Sequence, residues 1–168
     1  GVVSGSLDSK VVLATNAGYG FVARLGDLQT KNKSGKAALR VPEGAKVLPP
    51  RLVASVDAKI AAITNIGKLL VFPISELPEL SRGKGNKIIG IPKVKFESGE
   101  EFLKFIAVIE DGSSIKLING KTHYSPKTKD LENFLSSRGK RGLSLPPGYR
   151  NLDEIEVTSK NVIEDSEE

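Results

Sequence analysis

VVLATNAGYGFVARLGDL, residues 11–28, is the stretch that decides the fold, because the same pattern returns twice further along the chain. The two returns are IAAITNIGKLLVFPISEL at residues 60–77 and SSIKLINGKTHYSPKTKDL at residues 113–131. Each copy has an apolar run, a turn with asparagine and a nearby glycine, a second run, and an acidic residue followed by leucine. The turn residues Asn16, Asn65 and Asn119 and the acid-leucine pairs share intervals of 49 and 54 residues. Two markers with one spacing indicate an internal repeat.

The apolar runs of these copies are β-strands by composition. Five runs are short and rich in valine, isoleucine and phenylalanine, at residues 11–15, 60–64, 69–74, 102–109 and 113–118. Asp111-Gly112 and Asn119-Gly120 predict hairpin turns of type I′, because that turn needs positive φ at both central positions. The nine prolines exclude long helices, and only residues 129–136 are expected to form a helical turn or two.

A unit of about 50 residues with four strands has the size of a propeller blade. One blade cannot bury both of its faces, so blades must stack, and three blades do not close a ring. We therefore predict an all-β, propeller-like fragment of about three four-stranded blades in a broken or partial ring, and we expect further blades upstream. The predicted domain covers residues 1–157, with blades at about 6–53, 54–108 and 109–157. Residues 158–168 are predicted to be a disordered acidic tail.

Charge and composition restrict the function. Residues 151–168 carry a formal charge of −6, so residues 1–150 carry +11 within the net +5. A body this basic favours a polyanionic partner, with solubility as the alternative explanation. The absence of cysteine excludes disulfides and thiolate metal sites, and the single histidine, His123, is expected to be an ordinary exposed strand residue. No metal site is expected, and none of Tyr19, Tyr124 and Tyr149 is placed to be an activated nucleophile. No apolar run reaches the roughly 20 residues that a membrane helix needs.

Three glycine-bearing basic loops are the candidate functional sites. They follow the acid-leucine pairs as KNKSGK at residues 31–36, SRGKGNK at residues 81–87 and SSRGKRG at residues 136–142. Glycine lets the backbone approach a phosphate closely, and the cations supply charge. The predicted DNA-binding residues are Lys31, Lys33, Lys36, Arg82, Lys84, Lys87, Arg138, Lys140 and Arg141.

Two other interpretations of these loops are weaker. Glycine and lysine are common in exposed turns, but three such loops at one repeat position favour binding. The second loop lacks the Lys-Ser/Thr pair of a nucleotide-binding P-loop, which excludes that motif. Only nine aromatic residues are present, so duplex backbone contact is favoured over base stacking on single strands.

NAGYGFVARLGDLQTKNKSGKA, RVPEGAKVLPP, ITNIGKLLVFPISELPELSRGKGNKII and SSRGKRG resemble the C-terminal domain of the bacterial topoisomerase IV A protein (ParC), the paralogue of the gyrase A protein. The likeness runs through residues 10–157 and is most specific in the first two repeats. It implies a β-pinwheel whose blades exchange strands and which binds and bends duplex DNA along its outer rim. The basic loops keep only degenerate versions of the Gln-Arg-Arg-Gly-Gly-Lys-Gly loop of the gyrase paralogue, so strong chiral wrapping is not expected.

The same resemblance implies a place in a larger enzyme. That enzyme is an ATP-dependent type II topoisomerase, an isomerase that captures a DNA segment for decatenation, supercoil relaxation and chromosome segregation. No catalytic site or cofactor is expected in this fragment, because ATP and Mg act through other domains and through the partner protein ParE of the heterotetramer. The implied location is the bacterial cytoplasm at the nucleoid, and peripheral membrane association is compatible with it. The alternative function is a basic β-propeller scaffold for acidic protein partners.

Overall fold

A computed structural model of the chain describes residues 9–24, 40–55, 57–110 and 113–158. The predicted tail beyond Thr158, the Asp111-Gly112 turn and the first basic loop, with Lys31, Lys33 and Lys36, lie outside the described residues. Within the described ranges the strands are β1 Lys10–Ala14, β2 Tyr19–Arg24, β3 Arg51–Val53, β4 Lys59–Thr64, β5 Lys68–Pro73, β6 Asn86–Lys87, β7 Leu103–Ile109, β8 Ser114–Asn119, β9 Thr122–Tyr124, β10 Leu143–Ser144 and β11 Glu154–Thr158.

Helical structure in these ranges is short. A 3₁₀ turn spans Ile74–Glu76, and five-residue helices span Lys93–Glu97 and Thr128–Glu132. The last of these overlaps the helical turn predicted at residues 129–136. The helix Lys93–Glu97 was not predicted, because prolines were taken to exclude helices. Pro92 directly precedes this helix, where the fixed φ of proline favours a helix start. No helix in the described part of the chain is long and apolar enough to cross a membrane.

The strands form three separate sheets, each built on one copy of the repeated stretch. Their orders are β3-β1-β2-β6, β10-β5-β4-β7 and β11-β8-β9, and all paired strands are antiparallel. The predicted all-β, propeller-like fold without a closed ring is confirmed. The third sheet differs from the prediction in having three strands within the described residues.

The turn of the third hairpin differs from the predicted type. Asn119 pairs with Thr122, so the two central residues are Gly120 and Lys121. Of these only Gly120 has a positive φ, at 62°. Glycine at the first central position fits a type II′ turn, so the hairpin was located correctly but the type I′ prediction was wrong.

Neighbouring sheets exchange strands. β6 lies between β5 and β7 in sequence, yet it pairs with β2 of the first sheet through Tyr19↔Lys87 and Gly20↔Asn86. In the same way β10, which follows the third hairpin, pairs with β5 of the second sheet. Each of these two sheets thus receives its outermost strand from the next repeat. The blade limits at about 6–53, 54–108 and 109–157 stay predictions, because a sheet with a borrowed strand has no single boundary in the sequence.

Apolar side chains fill the two spaces between the sheets. Val12, Phe72, Ile88 and Leu103 belong to one buried cluster, which joins the first sheet to the second. A second cluster joins the second sheet to the third and has eleven buried members: Ala61, Ile63, Leu69, Val71, Ala107, Ile109, Ile115, Leu117, Leu145, Leu152 and Ile155. Fully burying one such aliphatic side chain stabilises the fold by about 1.5–3 kcal/mol. Stacking therefore buries both faces of the middle sheet, as the repeat predicted.

The repeated turn asparagines hold each hairpin to the chain that leads into a neighbouring strand of its sheet. Asn16 Oδ1 accepts a hydrogen bond from the Lys46 amide at 2.7 Å, and Asn65 Oδ1 accepts one from the Phe102 amide at 2.8 Å. Asn119 Nδ2 donates to the Gly148 carbonyl. Because a side-chain amide both donates and accepts, it can satisfy the backbone groups of such a crossing. The spacing of the asparagines thus reflects the architecture of the fold.

Candidate nucleic-acid interface

The second basic loop, residues 81–87, ends in the exchanged strand β6. Gly85 has a φ of 85°, and a Cβ on it would lie 2.0 Å from the Gly20 carbonyl oxygen. Gly83 has a φ of 126°, and the nearest atom to a Cβ there lies 4.0 Å away. Gly85 is therefore required for the contact with β2, whereas the backbone at Gly83 is open to a ligand. Close approach to a phosphate was predicted for both glycines, and the structure gives Gly85 a packing role.

The cations of the second loop extend into solvent. Arg82, Lys84 and Lys87 have no carboxylate partner among the described residues; Arg82 and Lys87 are exposed and Lys84 is half-buried. Lys84 Nζ lies 4.4 Å from the centroid of the Tyr19 ring, a cation–π contact that orients the ammonium group. The three predicted residues of this loop are thus available to an anion.

Arg40 joins this loop although the sequence did not single it out. Its amide donates to the Gly83 carbonyl at 2.7 Å, and its side chain is exposed. Arg40 lies more than forty residues before the loop, and no motif marks it. The signal is only tertiary, because the backbone pairing with Gly83 brings it there.

The third basic loop, residues 136–142, uses its arginines differently. Arg138 donates through its amide to Glu76 Oε1 at 2.9 Å, through Nε to the Glu76 carbonyl at 2.8 Å, and through Nη1 to the Lys87 carbonyl at 2.7 Å. Arg141 Nη1 donates to the Gly90 carbonyl and to Glu101 Oε2, both at 2.7 Å. Lys140 is exposed and has no carboxylate partner among the described residues. Of the three predicted residues in this loop, Lys140 alone has its charged group free of protein partners within the described ranges.

The two described loops meet through the backbone. Gly139 donates its amide to the Ile88 carbonyl at 2.9 Å, and Gly90 donates its amide to the Lys140 carbonyl at 2.7 Å. The segment after the second loop therefore lies directly against the third loop. We call the resulting cations the basic rim, and its members are Arg40, Arg82, Lys84, Lys87 and Lys140. The rim follows the exchanged strands on the outer side of the first two sheets.

Other basic side chains of the first sheet are neutralised. Glu79 Oε2 lies 2.9 Å from Lys10 Nζ, and Glu79 Oε1 lies 3.0 Å from Arg24 Nε. The hydrogen bond from Lys10, with a further one from Arg24, lowers the pKa of Glu79 below its ordinary value although partial burial acts the other way. Lys10 and Arg24 are thus less available to an external anion than the rim cations.

The groups considered for catalysis have ordinary surroundings. His123 is exposed on β9 and its carbonyl accepts a hydrogen bond from the Tyr149 hydroxyl at 3.2 Å. Burial, helped by Asp130, raises the pKa of Tyr124 and so disfavours the nucleophilic phenolate. In the described part of the chain no group of three or more His, Cys, Asp or Glu side chains could hold a metal ion.

Stacked antiparallel sheets that exchange outer strands and carry unpaired cations on that side define a propeller-like domain of the pinwheel type. A sequence model described as DNA gyrase C-terminal domain, beta-propeller, matches residues 9–54 and 58–110. The chain belongs to this family.

Named relatives agree with this assignment. The A protein of DNA topoisomerase 4 from Pseudomonas aeruginosa is 47% identical over 151 residues, which cover 89% of this chain and 20% of the relative. The corresponding protein of Escherichia coli K12 is 39% identical over 152 residues, covering 90% of this chain and 20% of the relative. The resemblance to the topoisomerase IV A protein is confirmed, and the chain spans about a fifth of the length of these relatives.

Solved structures match the whole architecture. The E. coli ParC C-terminal domain aligns with a TM-score of 0.83 at 38% identity, covering 92% of this chain and 62% of that chain. A DNA gyrase A C-terminal domain aligns with a TM-score of 0.71 at 11% identity, covering 92% of this chain and 50% of that chain. The second match shows the shared fold alone.

Proposed function

We propose that this chain is a duplex-DNA-binding and bending module of a type IIA topoisomerase. The observation that carries the proposal is the basic rim, in which tertiary structure aligns cations from three separate segments along one side of the sheets. Phosphate contacts of this kind position DNA without reading its sequence. The names of the relatives, as DNA topoisomerase components, support a DNA substrate.

The wider role follows from the family. In this proposal the module holds a DNA segment during decatenation and supercoil relaxation, in a bacterial enzyme that acts at the nucleoid. DNA cleavage, with ATP and Mg, belongs to other domains and to the partner protein ParE. These parts of the proposal rest on the relatives, which are bacterial topoisomerase IV proteins. The predicted residues Lys31, Lys33 and Lys36 remain proposed contacts on the same grounds as in the sequence.

The first test is a fluorescence anisotropy titration of the chain with a short random-sequence duplex at several salt concentrations. Each neutralised phosphate contributes about −0.9 to the slope of log K against log salt, so five rim contacts give a slope of roughly −4. The matching single strand is expected to bind more weakly, because few exposed aromatic side chains are available for stacking. A flat salt dependence, or no binding at low salt, would contradict the proposal.

Charge removal on the second loop tests the rim itself. Arg82→Gln combined with Lys84→Gln is expected to reduce the magnitude of the slope by about 1.8 and to weaken all sequences alike. Lys59→Gln is the matched control, since Lys59 is exposed but lines a cleft with the acidic residues Asp57, Glu110 and Glu132. An equal loss in the control would point to general charge and not to the rim.

A scaffold for acidic protein partners is the remaining alternative. Random duplex DNA should not compete for such a partner with a multi-phosphate salt dependence. Competition experiments with an acidic polypeptide, such as polyglutamate, therefore separate the two functions.

A further inference from the structure

We infer that Glu101 is a positioning residue of the basic rim: acting through Arg141, it fixes the third loop so that Lys140 lies in line with the second loop. The inference rests on the proposed function, because it assigns how that DNA interface is built. Glu101 itself cannot touch DNA, since the residue is fully buried.

One guanidinium nitrogen carries the contact. Arg141 Nη1 donates to Glu101 Oε2 and to the Gly90 carbonyl, both at 2.7 Å. Gly90 and Glu101 are the two ends of an excursion of the chain that contains the helix Lys93–Glu97. Arg141 therefore closes the base of this excursion and binds it to the third loop. We call this arrangement the Arg141 clasp.

The buried carboxylate makes the clasp strong in one direction. Its second oxygen, Glu101 Oε1, is buried and has no hydrogen-bond partner among the described residues. Within those residues Arg141 is consequently the one cation that the structure pairs with this carboxylate. A buried charge that loses its partner is strongly destabilising, so Arg141 is held where Glu101 requires it.

The position of Arg141 sets the position of its neighbour. The Lys140 carbonyl accepts the Gly90 amide at 2.7 Å, and the Gly139 amide donates to the Ile88 carbonyl at 2.9 Å. These backbone bonds and the clasp hold the same two segments together. If the clasp opens, Lys140 loses its fixed place beside Lys87.

The two loops show that the clasp is an addition to the repeat. The second loop reads SRGKG, whereas the third reads SRGKRG, so Arg141 is an inserted residue. The equivalent asparagine contacts span 30 residues from Asn16 to Lys46 but 37 residues from Asn65 to Phe102. The longer excursion and the inserted arginine meet in space. The extra arginine thus holds the extra length of chain.

The test uses Glu101→Gln, Lys140→Gln and the two together, with DNA affinity and amide hydrogen exchange as measurements. Glu101→Gln removes a negative charge, which by electrostatics alone would strengthen DNA binding. The inference instead expects about a threefold to tenfold weaker affinity and at least about tenfold faster exchange at the Gly90 amide. Lys140→Gln is expected to reduce the magnitude of the salt slope by about 0.9 without changing that exchange.

The double variant distinguishes positioning from general destabilisation. If Glu101 acts through Lys140, Glu101→Gln causes no further loss of affinity in the Lys140→Gln background. The same factor of loss in both backgrounds, or unchanged affinity and exchange in Glu101→Gln, would overturn the inference. Should Glu101→Gln fail to fold, the variant that also carries Arg141→Gln removes both charges and allows the same comparison. A wild-type chain that does not bind duplex DNA would refute the proposed function, and the exchange data would then show whether the clasp exists.

Discussion

The second and third basic loops have nearly the same sequence but use their cations for different purposes. In the second loop Arg82 extends into solvent, whereas the equivalent Arg138 in the third loop donates to Glu76 and Lys87. Both loops lead into an exchanged strand through a glycine, Gly85 or Gly142. The comparison teaches that composition locates a basic loop but does not say which of its charges remain available to a ligand.

The glycines before the exchanged strands are expected to give the largest effect. Gly85→Ala places a Cβ 2.0 Å from the Gly20 carbonyl, and Gly142→Ala places one 2.8 Å from the Leu69 carbonyl. Gly99→Ala has a similar φ of 82° with open space around it, so it measures the conformational cost alone, about 1 kcal/mol. We expect Gly85→Ala to lower the free energy of unfolding by about 2 kcal/mol more than this control, with Gly142→Ala in between.

Urea unfolding of the three variants checks this order. Equal losses for Gly85→Ala and Gly99→Ala would mean that β2 and the second loop separate without cost. The exchanged strand would then contribute little to joining the sheets.

Substitution of the equivalent arginines tests the comparison most directly. Arg138→Gln removes two hydrogen bonds to carbonyl groups and is expected to lower the free energy of unfolding by about 1–2 kcal/mol, with little change in the salt slope of DNA binding. Arg82→Gln is expected to leave stability within about 0.5 kcal/mol and to reduce the magnitude of the slope by about 0.9. Chemical unfolding and anisotropy on the same samples measure both quantities. If the two variants behave alike, the distinction between the loops is wrong.

The smallest expected effect concerns pH and the residues just before each loop. Glu79 forms a bridge with Val22 in the first sheet, and the apolar Leu135 occupies the equivalent place against Val71 in the second. Because Lys10 and Arg24 lower the pKa of Glu79, its contribution to stability is present above the ordinary carboxyl pKa and is lost as pH falls through the lowered value. The carboxylate is partly exposed, so the loss should not exceed about 1 kcal/mol.

Unfolding curves at about pH 6 and about pH 3 measure this loss in the unsubstituted chain and in Glu79→Gln. The variant should lose less stability on acidification than the unsubstituted chain. Leu135→Ala is the control at the equivalent position, and its pH dependence should match that of the unsubstituted chain. An identical response of Glu79→Gln would show that the ion pairs do not contribute.

Much of the fold could be predicted from the sequence because the repeat is local. The apolar runs that were expected to be strands appear as β1, β4, β5, β7 and β8, and the hairpins lie where the asparagine turns were found. The helix Lys93–Glu97 and the destinations of β6 and β10 were not predicted. Two-residue strands carry no periodic signal of their own, and they are defined only by the partner to which they bond.

The candidate site was predicted in part for the same reason. Charge and glycine content located the basic loops, since these properties can be counted along the chain. Arg40 was missed, because its place beside Gly83 depends on a backbone contact between distant segments. Arg138 and Arg141 were included as DNA contacts, and their protein partners Glu76 and Glu101 carry no mark in the sequence.

The sequence by itself determined the repeat, the β class, the stacking of blades and the basic character of the loops, because each depends on the order of apolar, turn and charged residues in short stretches. Only the tertiary structure decided which sheet each outer strand joins, that Arg40 belongs to the rim, and that Arg138 and Arg141 are held by protein groups. The physical reason is that hydrogen bonds and ion pairs need atoms within about 3 Å, and segments dozens of residues apart reach that distance only after the sheets have stacked.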